Sequence, residues 1–440
     1  MNRIARVAFV LLAAASAAGA TIQAQGSGTY LQPRDLARAD AETPERLLSA
    51  IDAVRATSRG TVLVNDRAAR RVLMLDRDFR RIGTVIDASP AKGTLYGLYA
   101  TRMFAMPGDS TLFLDNESRT FTVLDPDGRI ARRVPVPPIP VPEDLVHVRS
   151  GTPAFDLRGR LIYRALGRSQ RELMEMGRSG RRALPEPVPL LRLDLATGRV
   201  DTATMVHIYQ QREVVSSGSV MPLLHPAPTV DEWAMLADGT IAVVRGDDYH
   251  VDFIGPDGAL LRGPPIPYPM RELGPDDKLA LLDSSRAVRA RMLEAGIPLG
   301  REVAALPGAV AVGARPTNVV TQGGVVTAVG AELPWTHREP PDQWVSPEEI
   351  PDRLPVFPAG GVRADADGHL WIQTIRLTME RARSVYDVVD RSGALVDRVE
   401  VPEGAAIVGF APGGVVLLVQ RDPSGVRLVR SHHEVRAGRR

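Results

Sequence analysis

Short apolar runs alternate with tight polar turns along most of the chain. Ser58-Arg59-Gly60 precedes Thr61-Val62-Leu63-Val64, and Gly108-Asp109-Ser110 precedes Thr111-Leu112-Phe113-Leu114. The same phrase returns at Asp156-Leu157-Arg158-Gly159, Ala237-Asp238-Gly239, Asp365-Ala366-Asp367-Gly368 and Ala411-Pro412-Gly413-Gly414. Runs this short, rich in β-branched residues and bounded by Asp and Gly, read as strands. The turn anchors fall at 60, 110, 159, 239, 368 and 414. Three of the intervals lie between 46 and 50 residues, and the other two read as that period with insertions. A second turn follows each first one, as at Asp125-Pro126-Asp127-Gly128 and Asp390-Arg391-Ser392-Gly393. Asp supplies a side-chain acceptor there and Gly the positive φ that tight hairpins need. Each unit therefore reads as four strands.

Six four-stranded units at this period predict an all-β fold, a six-bladed β-propeller over residues 45–430. The last unit is one strand short. A closed ring leaves no open edge, so a strand must come from elsewhere, and residues 29–36 of the segment 25–44 are the natural donor. Gly-His-Leu-Trp at 368–371 and Val-Asp-Arg-Ser-Gly at 389–393, with the recurring Asp-x-x-Gly turns, resemble six-bladed propellers of the NHL and gluconolactonase-like group. That resemblance implies the fold. It leaves activity open, because many exported bacterial members of the group have none assigned.

Strand alternation sorts the connections. The short turns fall on one face of the ring. The long segments 88–100, 136–153, 165–187, 207–229 and 270–358 fall on the other, which marks that face as the functional one. The insertion 270–358, between blades 4 and 5, contains a predicted helix over 275–295. Pro275 stands at its first position, Asp276 and Asp277 in its first turn, and Gly296 then Pro298 end it. Leu281, Val288 and Met292 recur at helical spacing, beside a basic flank of Arg286, Arg289 and Arg291. Residues 318–330 read as a small hairpin.

Composition narrows the chemistry. The 440 residues contain no Cys, which excludes disulfides, thiolate metal sites and thiol nucleophiles. Lys92 and Lys278 are the only lysines, and the formal net charge is only +2, so a nucleic-acid surface is not expected. Arg3 and Arg6 precede the apolar stretch 7–15 and a small-residue zone, the pattern of an export signal over residues 1–24. No later run is long enough to span a membrane. The chain is therefore expected to be periplasmic or extracellular. Residues 431–440 read as a polar tail.

No Walker A, G-x-S-x-G or H-E-x-x-H motif is present. His147, His207, His225, His250 and His337 map to the long-loop side, and His369 to the other. The ligand-binding candidates are Trp335, His337, His207, His225 and Tyr249. Corner carboxylates Asp66, Asp115 and Asp247 are the metal candidates. Gluconolactonase-like propellers bind a divalent cation through carboxylate and amide oxygens at the channel mouth, but these residues do not match that ligand set position by position. The expected function is a non-enzymatic binding or scaffold propeller, without a cofactor, that recognises a protein or small-molecule ligand on its long-loop face. The alternative is a metal-dependent propeller hydrolase, lactonase or lyase with a divalent cation at the channel mouth.

Overall fold

The computed structural model describes residues 31–88, 96, 102–115, 120–135, 151–165, 187–209, 219–294, 344–375, 383–422 and 425–434. It also describes the backbone of strands Ile22–Gln25, Glu213–Ser216, Val320–Gln322 and Val325–Thr327. The chain divides into two units. The first comprises Met1–Gln210, Pro228–Glu272 and Arg353–Arg440; the second comprises Gln211–Ala227 and Leu273–Asp352.

The first unit is a six-bladed β-propeller. Blade 1 is Ile51–Ala56, Val62–Asp66, Arg71–Leu75 and Arg81–Asp87. Blade 2 is Arg102–Ala105, Thr111–Asp115, Thr120–Leu124 and Ile130–Pro135. Blade 3 is Ala154–Phe155, Arg160–Arg164, Val188–Asp194 and Val200–Val206. Blade 4 is Glu232–Met235, Ile241–Val244, Val251–Ile254 and Leu260–Arg262. Blade 5 is Val362–Ala364, Leu370–Thr374, Val385–Val389 and Leu395–Glu400. Blade 6 holds Ala405–Ala411, Val415–Asp422 and Gly425–His432 from the end of the chain.

The middle strands are buried on both faces, because each blade is sandwiched between two others. Period-two alternation sends successive residues to opposite neighbours. In blade 1, Val62 and Val64 face a core shared with Leu417 and Val419 of blade 6, while Leu63 packs with Phe113 of blade 2. In blade 4, Ile241 and Val243 pack with Ile162 and Val188 of blade 3, while Ala242 and Val244 pack with Leu370 and Ile372 of blade 5. Further cores join blades 2 and 3 through Phe104 and Tyr163, and blades 5 and 6 through Trp371 and Leu418. Every adjacent pair of blades thus shares a core, and the one between blades 6 and 1 closes the ring. Trp371 and Phe113 serve this packing.

The turns behave as their chemistry requires. Asp125 Oδ1 accepts the backbone N–H groups of Asp127 at 3.0 Å and Arg129 at 2.8 Å. Asp156, Asp365 and Asp390 do the same in blades 3 and 5. A side-chain acceptor fixed on the following turn stabilises the hairpin without help from the rest of the fold.

Closure differs in detail from the reading of residues 29–36. The fourth strand of blade 6 is Ala41–Glu42, antiparallel to Gly425–His432. Within the stretch 29–36, Arg34–Asp35 instead adds a fifth strand to blade 5, parallel to Leu395–Glu400. Ring closure needs an antiparallel partner for the last strand, and only the backbone past residue 40 reaches it in that direction. The C-terminal end is likewise part of the sheet. The last strand runs through His432, and His433 is buried edge-on against Trp371 with ring centroids 4.8 Å apart.

His433 Nε2 lies 2.9 Å from Asp397 Oδ2, to which Arg34 Nε also donates at 2.7 Å. Burial opposes a charge on Asp397, but these hydrogen bonds outweigh it and hold its pKa at about 2. A lowered carboxylate pKa contributes stability above the unfolded value near 3.9 that is lost as pH falls through the folded one. His433→Ala should therefore raise the midpoint of acid unfolding, read by circular dichroism between pH 5 and 2. An unchanged midpoint would remove His433 from this linkage.

In the second unit, the helix spans Pro275–Glu294. Among its described side chains the buried ones are Lys278, Leu282 and Ser285 rather than Leu281 and Val288, and Met292 lies outside them. Apolar residues crowd 279–282 on every side of the helix, so spacing alone did not identify the face. Val320–Gln322 and Val325–Thr327 form a two-stranded antiparallel hairpin. Among the described residues, no helix is long and apolar enough to cross a membrane.

Candidate functional site

A chemically distinctive cavity lies between blades 3 and 4, at the end of the ring that carries the long connections. It encloses about 470 Å³ and is lined by Thr204 and Met205 of blade 3, His207 and Asp231 of the crossing, and blade 4 residues from Arg245 to Arg262. The blade 4 contribution is local. The corner between its second and third strands brings in Asp247 and Asp248, and the third strand then begins at Val251. Alternation along Asp248-Tyr249-His250-Val251-Asp252 puts Asp248, His250 and Asp252 in the cavity. It sends Tyr249 and Val251 into the core shared with blade 5.

The inner wall is a connected charge network. Arg245 donates from Nε to Asp252 Oδ2 and from Nη1 to Asp231 Oδ2, both at 2.7 Å. Asp231 also accepts the backbone N–H of His207 at 2.9 Å and of Gly246 at 3.1 Å. These bonds tie the crossing to the blade 4 corner. His250 Nε2 lies 3.1 Å from Asp252 Oδ1. On the rim, Arg262 Nη2 reaches Asp248 Oδ2 at 2.5 Å. The exposed carboxylate of Asp247 forms no ion pair with any described residue. The lining thus carries four carboxylates against two guanidinium groups. Fixed hydrogen bonds and an excess of negative charge fit the cavity to hold a cation or a multiple hydrogen-bond donor.

Of the residues singled out in the sequence, His207 and Asp247 line this cavity. Tyr249 is fully buried and donates its hydroxyl to Asp387 Oδ2 at 2.8 Å, joining blade 4 to blade 5. His225 belongs to the second unit, where its Nδ1 accepts the N–H of Ala227 at 3.1 Å. Burial lowers its pKa to about 4. Trp335 and His337 lie outside the described residues. Asp66 is buried and accepts the N–H groups of Ser49 and Ala50, with Arg71 Nη2 at 3.0 Å. Asp115 is buried at the end of its strand in blade 2. Asp66, Asp115 and Asp247 thus belong to different places, and among the described residues no three His, Asp or Glu side chains cluster as a metal site. The sequence reading missed Asp231, Arg245, Asp252 and Arg262. The available signal was the i, i+2 spacing of Asp248, His250 and Asp252 beside a turn.

A second buried acid sits at the start of the first strand of blade 4. Glu232 is 0% exposed and accepts the N–H of Gly151 at 2.6 Å and of Gly360 at 2.8 Å. Those glycines lead into blades 3 and 5, so one carboxylate holds three blades together. Gly151 has φ +66°, and a Cβ there would lie 2.1 Å from the Trp233 indole nitrogen, so no other residue fits. Burial raises the Glu232 pKa to about 7, against the two N–H bonds and Arg164, which lower it. A raised carboxylate pKa contributes stability below the unfolded value of 4.5 that is lost as pH rises through 7. The melting-temperature advantage of wild type over Glu232→Gln should therefore shrink between pH 5 and pH 8. An advantage that grew over that range would contradict this.

No family model matches the chain, and no curated protein does. Solved structures do match. A gluconolactonase from Xanthomonas campestris is 12% identical with a TM-score of 0.35, over 92% of this chain and 98% of its own. Virginiamycin B lyase from Staphylococcus aureus is 8% identical with a TM-score of 0.36, over 89% and 98%. A member of the DUF4221 family from Bacteroides vulgatus is 8% identical with a TM-score of 0.46, over 92% and 98%. The likeness to these proteins is one of structure alone.

Proposed function

We propose that this chain is an exported, non-enzymatic binding propeller that takes its ligand or protein partner on the long-loop face. The observation that carries this reading is the cavity between blades 3 and 4. Its inner wall is rigid, because Arg245, Asp231 and Asp252 hold one another, and its rim is open through Asp247, Asp248, His207 and Met205. Recognition sites are built this way, with a few fixed polar groups on a stiff scaffold. Both stretches of the second unit, 211–227 and 273–352, fall in the connections between blades 3 and 4 and between blades 4 and 5. Trp335, His337 and His225 of that unit remain candidates for a larger partner.

The test is a thermal-shift panel of sugars, amino acids, polyamines and lactones against the mature chain and Asp247→Asn/Asp248→Asn. A bound ligand raises the melting temperature by mass action. At least one compound class should stabilise wild type and fail to stabilise the variant. A panel without such a class would overturn the assignment of the cavity, and turnover of a lactone in the same samples would replace binding with hydrolysis. Export rests on the residues 1–24 pattern. Intact-mass analysis of protein from its own host should show loss of residues 1–20 or 1–24, and full-length protein in the cytosolic fraction would refute it.

A further inference from the structure

We infer that export processing cuts this chain after Ala20, and that the strand Ile22–Gln25 retained by that cut is the chain's own cap on the backbone edge of Tyr268–Arg271. The inference rests on the export reading and adds the bond that is cut and the use of the new N-terminus.

The edge is the first ground. Ile22–Gln25 runs antiparallel to Tyr268–Arg271, with Ile22 opposite Arg271, Gln23 opposite Met270, Ala24 opposite Pro269 and Gln25 opposite Tyr268. Two observations fix which backbone groups face the strand. Arg271 gives its carbonyl to the N–H of Leu354 at 2.9 Å, on the other side. Pro269 has no N–H, so its pair with Ala24 is of the non-hydrogen-bonded kind. Backbone groups alternate along a strand, so those of Tyr268 and Met270 turn towards residues 22–25. Gln23 therefore exchanges its backbone bonds with Met270, and Gln25 with Tyr268. The edge is held independently of the strand. Met270 is buried in the core shared by blades 4 and 5, and the Tyr268 hydroxyl donates to the carbonyl of Ile375 at 2.7 Å. A rigid open edge is a template for foreign strands, and covering it removes that hazard.

Cleavage chemistry is the second ground, independent of the sheet. Two sites end the export signal, Ala18-Gly19-Ala20 and Ile22-Gln23-Ala24. The first has small residues at both of its outer positions, as the signal-peptide pattern requires, whereas the second opens on the bulky, branched Ile22. Water added across the Ala20–Thr21 peptide bond leaves a carboxylate on Ala20 and an α-ammonium on Thr21, and all of Ile22–Gln25 is kept. The same hydrolysis after Ala24 would discard Ile22, Gln23 and Ala24, and with Gln23 the backbone partner of Met270. Residue pattern and strand pairing thus select the same bond.

N-terminal sequencing of the exported protein from its own host should read Thr21-Ile22-Gln23-Ala24. A start at Gln25 would overturn the inference and leave export standing. Full-length protein confined to the cytosol would refute export itself, and this cut with it. Hydrogen–deuterium exchange over 268–271 tests the strand, in chains 21–440 and 25–440. Exchange at Met270 should be about tenfold or more faster in the shorter chain, as expected for one lost backbone hydrogen bond at an edge. In chain 21–440, Gln23→Pro should speed it likewise, because it removes the N–H given to Met270. Ala24→Pro, at a position whose N–H points away, should leave it slow. The melting temperature should stay nearly constant throughout, which separates this local opening from unfolding. Equal exchange in all four chains would overturn the strand, and equal acceleration by both prolines would overturn the pairing that protects Met270.

Discussion

Truncation through Thr43 should lower the melting temperature by about 5 °C or more, whereas truncation through residue 30 should leave it nearly unchanged. The longer deletion removes the fourth strand of blade 6 and the fifth strand of blade 5 together. It exposes the contact of buried Leu36, a loss of about 2 kcal/mol. It also strips Arg34 from Asp397, a part-buried charged hydrogen bond that contributes about 1.5–3 kcal/mol, while His433 and the N–H of Arg398 stay on the carboxylate. Asp40 loses its pairs to Arg430 and His432 as well, though exposed pairs contribute little. A total near 5 kcal/mol is a large share of the roughly 5–15 kcal/mol that holds a folded protein. At roughly 2.1 cal/mol/K of unfolding entropy per residue, a chain of this length shifts by about 1–1.5 °C per kcal/mol, which gives about 5 °C. Equal melting of the two truncations would show that the ring is closed by something other than Ala41–Glu42 and Arg34–Asp35.

Arg398→Met should destabilise the protein by about 3–5 kcal/mol, the largest effect expected of any single substitution here. Arg398 is almost wholly buried and grips Asp387 twice, Nε to Oδ1 at 2.6 Å and Nη2 to Oδ2 at 3.1 Å. Its other donors satisfy the carbonyls of Leu31 and Pro267, both at 3.0 Å. One guanidinium thus links blade 5, the crossing out of blade 4 and the N-terminal segment. Met fills the volume but leaves Asp387 charged and three acceptors without donors. Asp387→Asn added to Arg398→Met should recover part of the loss, since a neutral amide is cheaper to bury than a lone carboxylate. Tyr249→Phe removes only one bond to Asp387 and should cost about 1–2 kcal/mol. Chemical denaturation of the two single variants and the double variant checks the order. If Tyr249→Phe kept full stability and abolished ligand binding, Tyr249 would belong to the site and not to this junction.

Turn chemistry was legible in the chain because it is local. Asp125, Asp156, Asp365 and Asp390 bond to backbone two and four residues on, and nothing distant is needed to place them. The repeat of these turns set the strand count, and strand count with the demand for closure set the six blades. The helix at 275 was legible for the same reason, from Pro275, Asp276 and Asp277 at its start.

The cavity was not legible, because its residues meet only after blades 3 and 4 pack side by side. Asp231 and Arg245 are fourteen residues apart and pair across a turn of the blade, while Thr204 and Met205 come from another sheet. Tyr249 shows the same limit from the other direction. The sequence put it next to His250 on a corner that faces solvent, but alternation turned the two side chains to opposite sides, one into the cavity and one into the blade 5 core. Which strand closes the ring was likewise a tertiary matter. Residues 29–36 and 41–42 are both weak strands by pattern, and the direction of the last strand of blade 6 decided between them. Turns and period come from neighbours along the chain, so the sequence by itself determined the propeller. Sites and closure come from neighbours in space, and those depend on packing that no single segment encodes.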